Sequence, residues 1–91
     1  MAQFLLELYV SRSDATAVER VAASARRAAQ QLTREGKPVR YLRSIFVPED
    51  ETCFHLYEAA SACVVKEAAR RAALPFDRVT EAVVDVPRQP R

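Results

Sequence analysis

Strand, helix, strand, strand, helix, strand is the order legible in these 91 residues, and it predicts an α+β, ferredoxin-like βαββαβ fold. Three observations carry that prediction. The opening run QFLLELYV (3–10) alternates as a strand does. Two Ala-rich stretches, 14–35 and 61–73, repeat their apolar residues at helical spacing. Between them VRYLRSIFVPEDETCFHLYEA (39–59) places two runs of strand formers around Pro48-Glu49-Asp50-Glu51, the pattern of a β-hairpin with a loop of about four residues.

In the first strand Phe4, Leu6, Leu8 and Val10 share an apolar face, and Leu5, Glu7 and Tyr9 share a mixed one. Asp14, or Ser13 in its place, is the expected N-cap of the first helix. Val18, Val21, Ala22, Ala25, Ala28, Ala29 and Leu32 form its packing stripe, and their small size lets the helix lie close on a sheet. Gly36, the only glycine, stands where a left-handed residue ends the helix, and Pro38 prevents its continuation. Ser61 is the expected cap of the second helix, which Leu74-Pro75 stops. A last strand is expected in the second half of FDRVTEAVVDV (76–86). Residues 1–86 then form one domain and 87–91 a frayed polar tail.

The usual strand order of this topology, 4-1-3-2, leaves one sheet face without helices. With Pro48–Glu51 as the loop, Val47 faces Thr52 and Ser44 faces His55. Leu42, Ser44, Phe46, Cys53, His55 and Tyr57 then line the helix side, while Tyr41, Arg43, Ile45, Phe54, Leu56 and Glu58 join Glu7 and Tyr9 on the open side. The expected ligand-binding residues are therefore Glu7, Tyr9, Tyr41, Arg43 and Glu81. Arg43 is the cation, Glu7 or Glu81 its partner, and the two tyrosines supply hydroxyls. Arg43 and Glu7 stand on strands separated by one other, about 10 Å across the sheet. The same residues also read as an interface ion pair of a dimer.

Fourteen basic against twelve acidic residues give a net charge of +2, which argues against nucleic-acid binding. The pairs Arg26-Arg27 and Arg70-Arg71 read as solvated helix surface. No apolar run is long enough for a membrane span, and the N-terminus lacks the pattern of a signal peptide. Cys53 and Cys63 have no metal-ligand spacing and read as reduced thiols of a cytoplasmic protein. His55, the lone histidine, is either a core residue bonded to Ser44 or a backbone carbonyl, or a functional group. Cys53 and His55 share a strand face and are the candidate metal ligands. Nickel or zinc would need further ligands from carboxylates or a second subunit. No Gly-rich phosphate loop and no Gly-x-Ser-x-Gly elbow occurs.

FLLELYV (4–10), the hairpin 39–59 and EAARRAALPFDRV (67–79) resemble a family of small ferredoxin-like proteins of unknown function, some of whose members are described as nickel-binding. The family's Phe-Leu-Val-Glu opening is matched by Phe4-Leu5-Leu6-Glu7. Its aromatic-Glu-Ala-Pro run is matched by Tyr57-Glu58-Ala59, with Ala60 for proline. Its His-Ala-Arg-Arg-Ala-Gly-Leu-Pro segment is matched by residues 68–75, with Ala68 for the histidine and Ala73 for the glycine. Many members also carry a cysteine in the third strand where His55 stands here. The resemblance implies a dimer, a cytoplasmic setting and nickel as the cofactor. The residues themselves call for no cofactor.

The leading functional reading is a small homodimer that binds a small ligand or metal on the open sheet face, with no nucleic-acid or membrane partner. The alternative is a cofactor-free enzyme, of oxygenase or isomerase type, using the same pocket. That second reading rests on fold analogy alone. A purely structural or regulatory protein is a third.

Overall fold

The computed structural model describes residues 1–85. Its elements are β1 (Ala2–Tyr9), α1 (Thr16–Arg34), β2 (Val39–Val47), β3 (Thr52–Ala59), α2 (Ala62–Arg71) and β4 (Arg78–Ala82). The four strands form one antiparallel sheet in the order β2-β3-β1-β4, the expected order read from its other edge. The expected domain edge at residue 86 and the tail 87–91 lie outside the described residues.

The alternation of β1 decides which face the helices cover. Phe4, Leu6, Leu8 and Val10 are buried, and they pack with Ala22, Ala25, Ala29 and Leu32 of α1 and with Val65, Ala68 and Ala69 of α2. The alanines bring the helix axes close to the sheet, so a thin core can still exclude water from Leu6 and Leu32. No helix among the described residues is long and apolar enough to cross a membrane.

The hairpin register is the expected one at its closed end, with Val47 opposite Thr52 and Ser44 opposite His55. Pro48–Asp50 forms a single 3-10 turn, and Glu51 takes a left-handed conformation (φ 48°) that returns the chain to β3.

Three boundaries differ from expectation. Helix α1 begins at Thr16, with Ala15 rather than Asp14 at the cap position. Asp14, one residue earlier, closes the preceding turn: its N–H donates to the Ser11 carbonyl, and its carboxylate accepts the Thr16 hydroxyl. Helix α2 starts after Ser61 as expected but ends at Arg71. Strand β4 begins earlier than expected, at Arg78, because the Asp77 N–H donates to the Glu7 carbonyl at 2.8 Å and locks Arg78 opposite Glu7.

Both helices end in the same pair of bonds. Lys37 N–H reaches Leu32 and Gly36 N–H reaches Thr33 after α1; Leu74 N–H reaches Ala69 and Ala73 N–H reaches Arg70 after α2. Each motif needs a left-handed residue, Gly36 at φ 97° in the first and Ala73 at φ 58° in the second. An alanine there carries the penalty of a Cβ crowding its own carbonyl, about 1 kcal/mol. Ala73→Gly should therefore stabilise the protein by up to about 1 kcal/mol, a gain reduced by the extra freedom glycine gives the unfolded chain. A urea midpoint that falls instead would refute this reading of the α2 terminus.

Candidate functional site

Strand β2 carries one residue more than its partner. Tyr41 pairs with Tyr57 and Arg43 with Leu56, so Leu42 is extra and the strand is bulged. The bulge corrects the expected position of Tyr41. Upstream of it every β2 side chain changes face, and Tyr41 points under the helices rather than to the open side.

Tyr41 lands in a buried polar group. Its hydroxyl lies 2.8 Å from His55 Nδ1, its ring packs edge-on against Tyr57 with centroids 5.3 Å apart, and the Arg26 guanidinium sits 5.1 Å above it. Cys53, His55 and Tyr57 follow one another on the same side of β3 and are all without exposed surface. His55 is thus the core histidine of the two readings, bonded to Tyr41 rather than to Ser44. Its Nε2 and the Tyr57 hydroxyl have no hydrogen-bond partner among the described residues.

Burial fixes the protonation of this group. It lowers the His55 pKa to about 4, so the imidazole is neutral at pH 7. Burial also raises the pKa of the Cys53 thiol and, chiefly, those of Tyr41 and Tyr57, so all three stay protonated. A neutral imidazole has one donor and one acceptor nitrogen, which suits a polar core. The arrangement holds neither a thiolate nucleophile nor a base poised near neutrality.

The same facts test the group as a nickel site. Among the described residues no three His, Cys, Asp or Glu side chains converge on a point that could hold a metal ion. Ala68, fully buried on α2, offers no donor. Cys53 and His55 alone are two donors, too few for a nickel site, so the residues present do not fit the metal.

The open face carries the other expected residues. Reading across the ladders, Leu5, Leu56 and Arg43 form one row, and Arg78, Glu7, Phe54 and Ile45 the next. Arg43 and Glu7 thus share the face without helices, as expected, but they do not pair. Glu7 is bonded to Arg78 of the adjacent strand β4, a partner that sequence reading missed. Arg43 is exposed and has no carboxylate partner among the described residues. Arg40 pairs with Glu58 at 3.2 Å, so the other charges of the face are neutralised locally. Tyr9 lies at the far end of the sheet, two rows from Arg43, where its hydroxyl reaches Glu51 at 3.5 Å. Glu81 requires a second correction. It stands opposite Phe4, on the helix-side face, so the pleat points it away from Arg43. The open face therefore gathers Glu7 and Arg43 but not Tyr41 or Glu81.

The family model described as "Nickel responsive protein SCO4226-like" matches residues 9–82. Among solved structures, the crystal structure of SCO4226 from Streptomyces coelicolor A3(2) superposes with a TM-score of 0.73 at 16% sequence identity. The match covers 93% of this chain and all of that one. No curated protein matches.

Proposed function

This chain belongs to the family of SCO4226-like nickel responsive proteins, and we propose that it acts as a homodimer that holds a small anionic ligand against the open face of its sheet. One observation carries the proposal. Among the described residues Arg43 is a cation without a carboxylate partner, beside Leu5, Leu56, Phe54 and Ile45 on a face that no helix covers. On that face Ile45 is 50% exposed. A chain of 91 residues rarely leaves such a surface bare, and a second copy is the simplest cover. A guanidinium at the edge of that seam suits a carboxylate, which its planar fork holds through two hydrogen bonds.

No reaction is assigned. His55 is sealed beneath the helices and neutral, and on the open face the carboxylate of Glu7 is already taken by Arg78.

Sedimentation at micromolar concentration tests the assembly, with a dimer as the expected species and a monomer alone as the result that overturns it. The metal reading is tested separately. Calorimetric titration of the tag-free protein with Ni²⁺ should show no tight stoichiometric site, for want of ligands. A strong site abolished by His55→Ala would restore His55 as a nickel ligand.

A further inference from the structure

We propose that the cleft between the two helices, on the side of the molecule away from the open sheet face, binds a compact polyphosphate anion. The cleft has a volume of about 590 Å³ and is lined by Ser24, Arg27, Gln30, Gln31, Arg34 and Arg71 with two alanines. Among the described residues no acidic side chain lines it.

The basic charge of the chain is concentrated on the two helices that form it. Helix α1 carries four arginines against one glutamate, and α2 three basic side chains against one glutamate. Two helices thus hold a net +5 in a protein of net +2, and the rest of the chain is acidic. Arg27 and Arg34 are seven residues apart on one face of α1, two turns or about 10 Å, with Gln31 between them. Neither has a carboxylate partner among the described residues; Arg27 contacts only the Ser24 hydroxyl, at 3.3 Å. Arg71 closes the cleft from α2. Its guanidinium is gripped by both oxygens of Glu35, at 2.5 and 2.7 Å, so its position is fixed before any ligand arrives.

The donor set selects the ligand class. Two free guanidinium forks, with side-chain amides and a hydroxyl between them, match the several oxygens of a polyphosphate better than a single carboxylate. The boundaries select a compact ligand. Arg71 is already balanced by Glu35 and Glu67, so the attraction comes from Arg27 and Arg34 and extends no further than the two turns between them. This site is independent of Arg43 and of the dimer.

The test is calorimetric titration of the full chain with inorganic triphosphate, and with ATP, in magnesium-free buffer at low salt. The expected result is one saturable site per chain. Arg27→Gln/Arg34→Gln should weaken it by roughly tenfold or more, whereas Arg12→Gln/Arg40→Gln, which removes the same charge elsewhere, should leave it intact. Equal affinities for the two probes assign the site to the phosphate chain, and tighter ATP assigns it to a nucleotide; both support the proposal. Three results overturn it: no saturable binding, an equal loss in both double variants, or binding to single-stranded oligonucleotide or anionic vesicles with none to either probe.

Discussion

Lowering the pH from 7 to 5 should destabilise this protein by about 2 kcal/mol through one side chain. His55 has its pKa lowered from an ordinary 6.5 to about 4 by burial. The unfolded chain therefore binds a proton between those values that the folded chain refuses. A group whose charged form is penalised by folding contributes its full stability above the unfolded pKa. That contribution declines as pH falls through 6.5 and levels off below the folded value near 4, with a total on the order of 3 kcal/mol. Because His55 is the only histidine, no other imidazole titrates in that window. Glu35, lowered by its hydrogen bond to Arg71, loses its contribution only below its ordinary 4.5. Urea titrations at half-unit steps from pH 7.5 to 4.5 measure the slope. Tyr41→Phe/His55→Phe removes both halves of the 2.8 Å bond, so that the Tyr41 hydroxyl is not left orphaned in the comparison. The double variant should give a nearly flat profile above pH 5, whatever its stability at pH 7. A profile as steep as that of the parent would mean that His55 is not the titrating group.

The same residue shows where sequence reasoning reached and where it stopped. The β1 alternation, the two Ala-rich stripes, Gly36 and the Pro48–Glu51 loop specified the topology, the strand order and the side of the sheet that faces the helices. Each of these is a local rule, and each held because tertiary packing agrees with it. His55 was correctly placed on the helix side by the register Ser44–His55. Its partner was not legible. A bulge at Leu42 leaves no mark in a run such as VRYLRSIFV, where every residue is a tolerable strand former, yet it moves Tyr41 from one face to the other. Glu81 failed for a related reason. Its face depends on the β1–β4 register, which Asp77 and Glu7 set through a backbone bond that no side-chain pattern encodes. Arg78 could have been found: in β4 it alternates with Val79, and a basic residue opposite Glu7 is the ordinary cross-strand pair. The helix cleft was readable only in part. The heptad spacing of Arg20, Arg27 and Arg34 is visible in the sequence, but the approach of Arg71 across two helices is not.

Phe54→Glu should convert the proposed dimer into a monomer. Phe54 lies in β3, an interior strand, on the uncovered face, with Ile45 on one side and Glu7 on the other. In an isologous interface a two-fold axis sets this patch against its own copy, so one substitution introduces two carboxylates into a seam built of Leu5, Ile45, Phe54 and Leu56. Desolvating them with Arg43, diagonally across the ladder, as the one cation not already paired should weaken association by roughly tenfold or more, about 1.4 kcal/mol. The monomer should keep its fold. The new side chain reaches water once the partner has gone, and its carboxylate neighbour Glu7 is already neutralised by Arg78. Sedimentation reports the assembly and far-ultraviolet circular dichroism the fold. Arg43→Ala then separates ligand site from interface. If Arg43 holds an anion at the seam, the variant stays dimeric and loses only the ligand. If Arg43 belongs to the interface itself, the variant should melt at a temperature that depends on protein concentration over the micromolar range, as dissociation becomes coupled to unfolding. A Phe54→Glu protein that remains dimeric would place the interface elsewhere. The obvious alternative is the helix layer, and its basic cleft would then be buried between two copies of the same charge, an arrangement that electrostatic repulsion opposes.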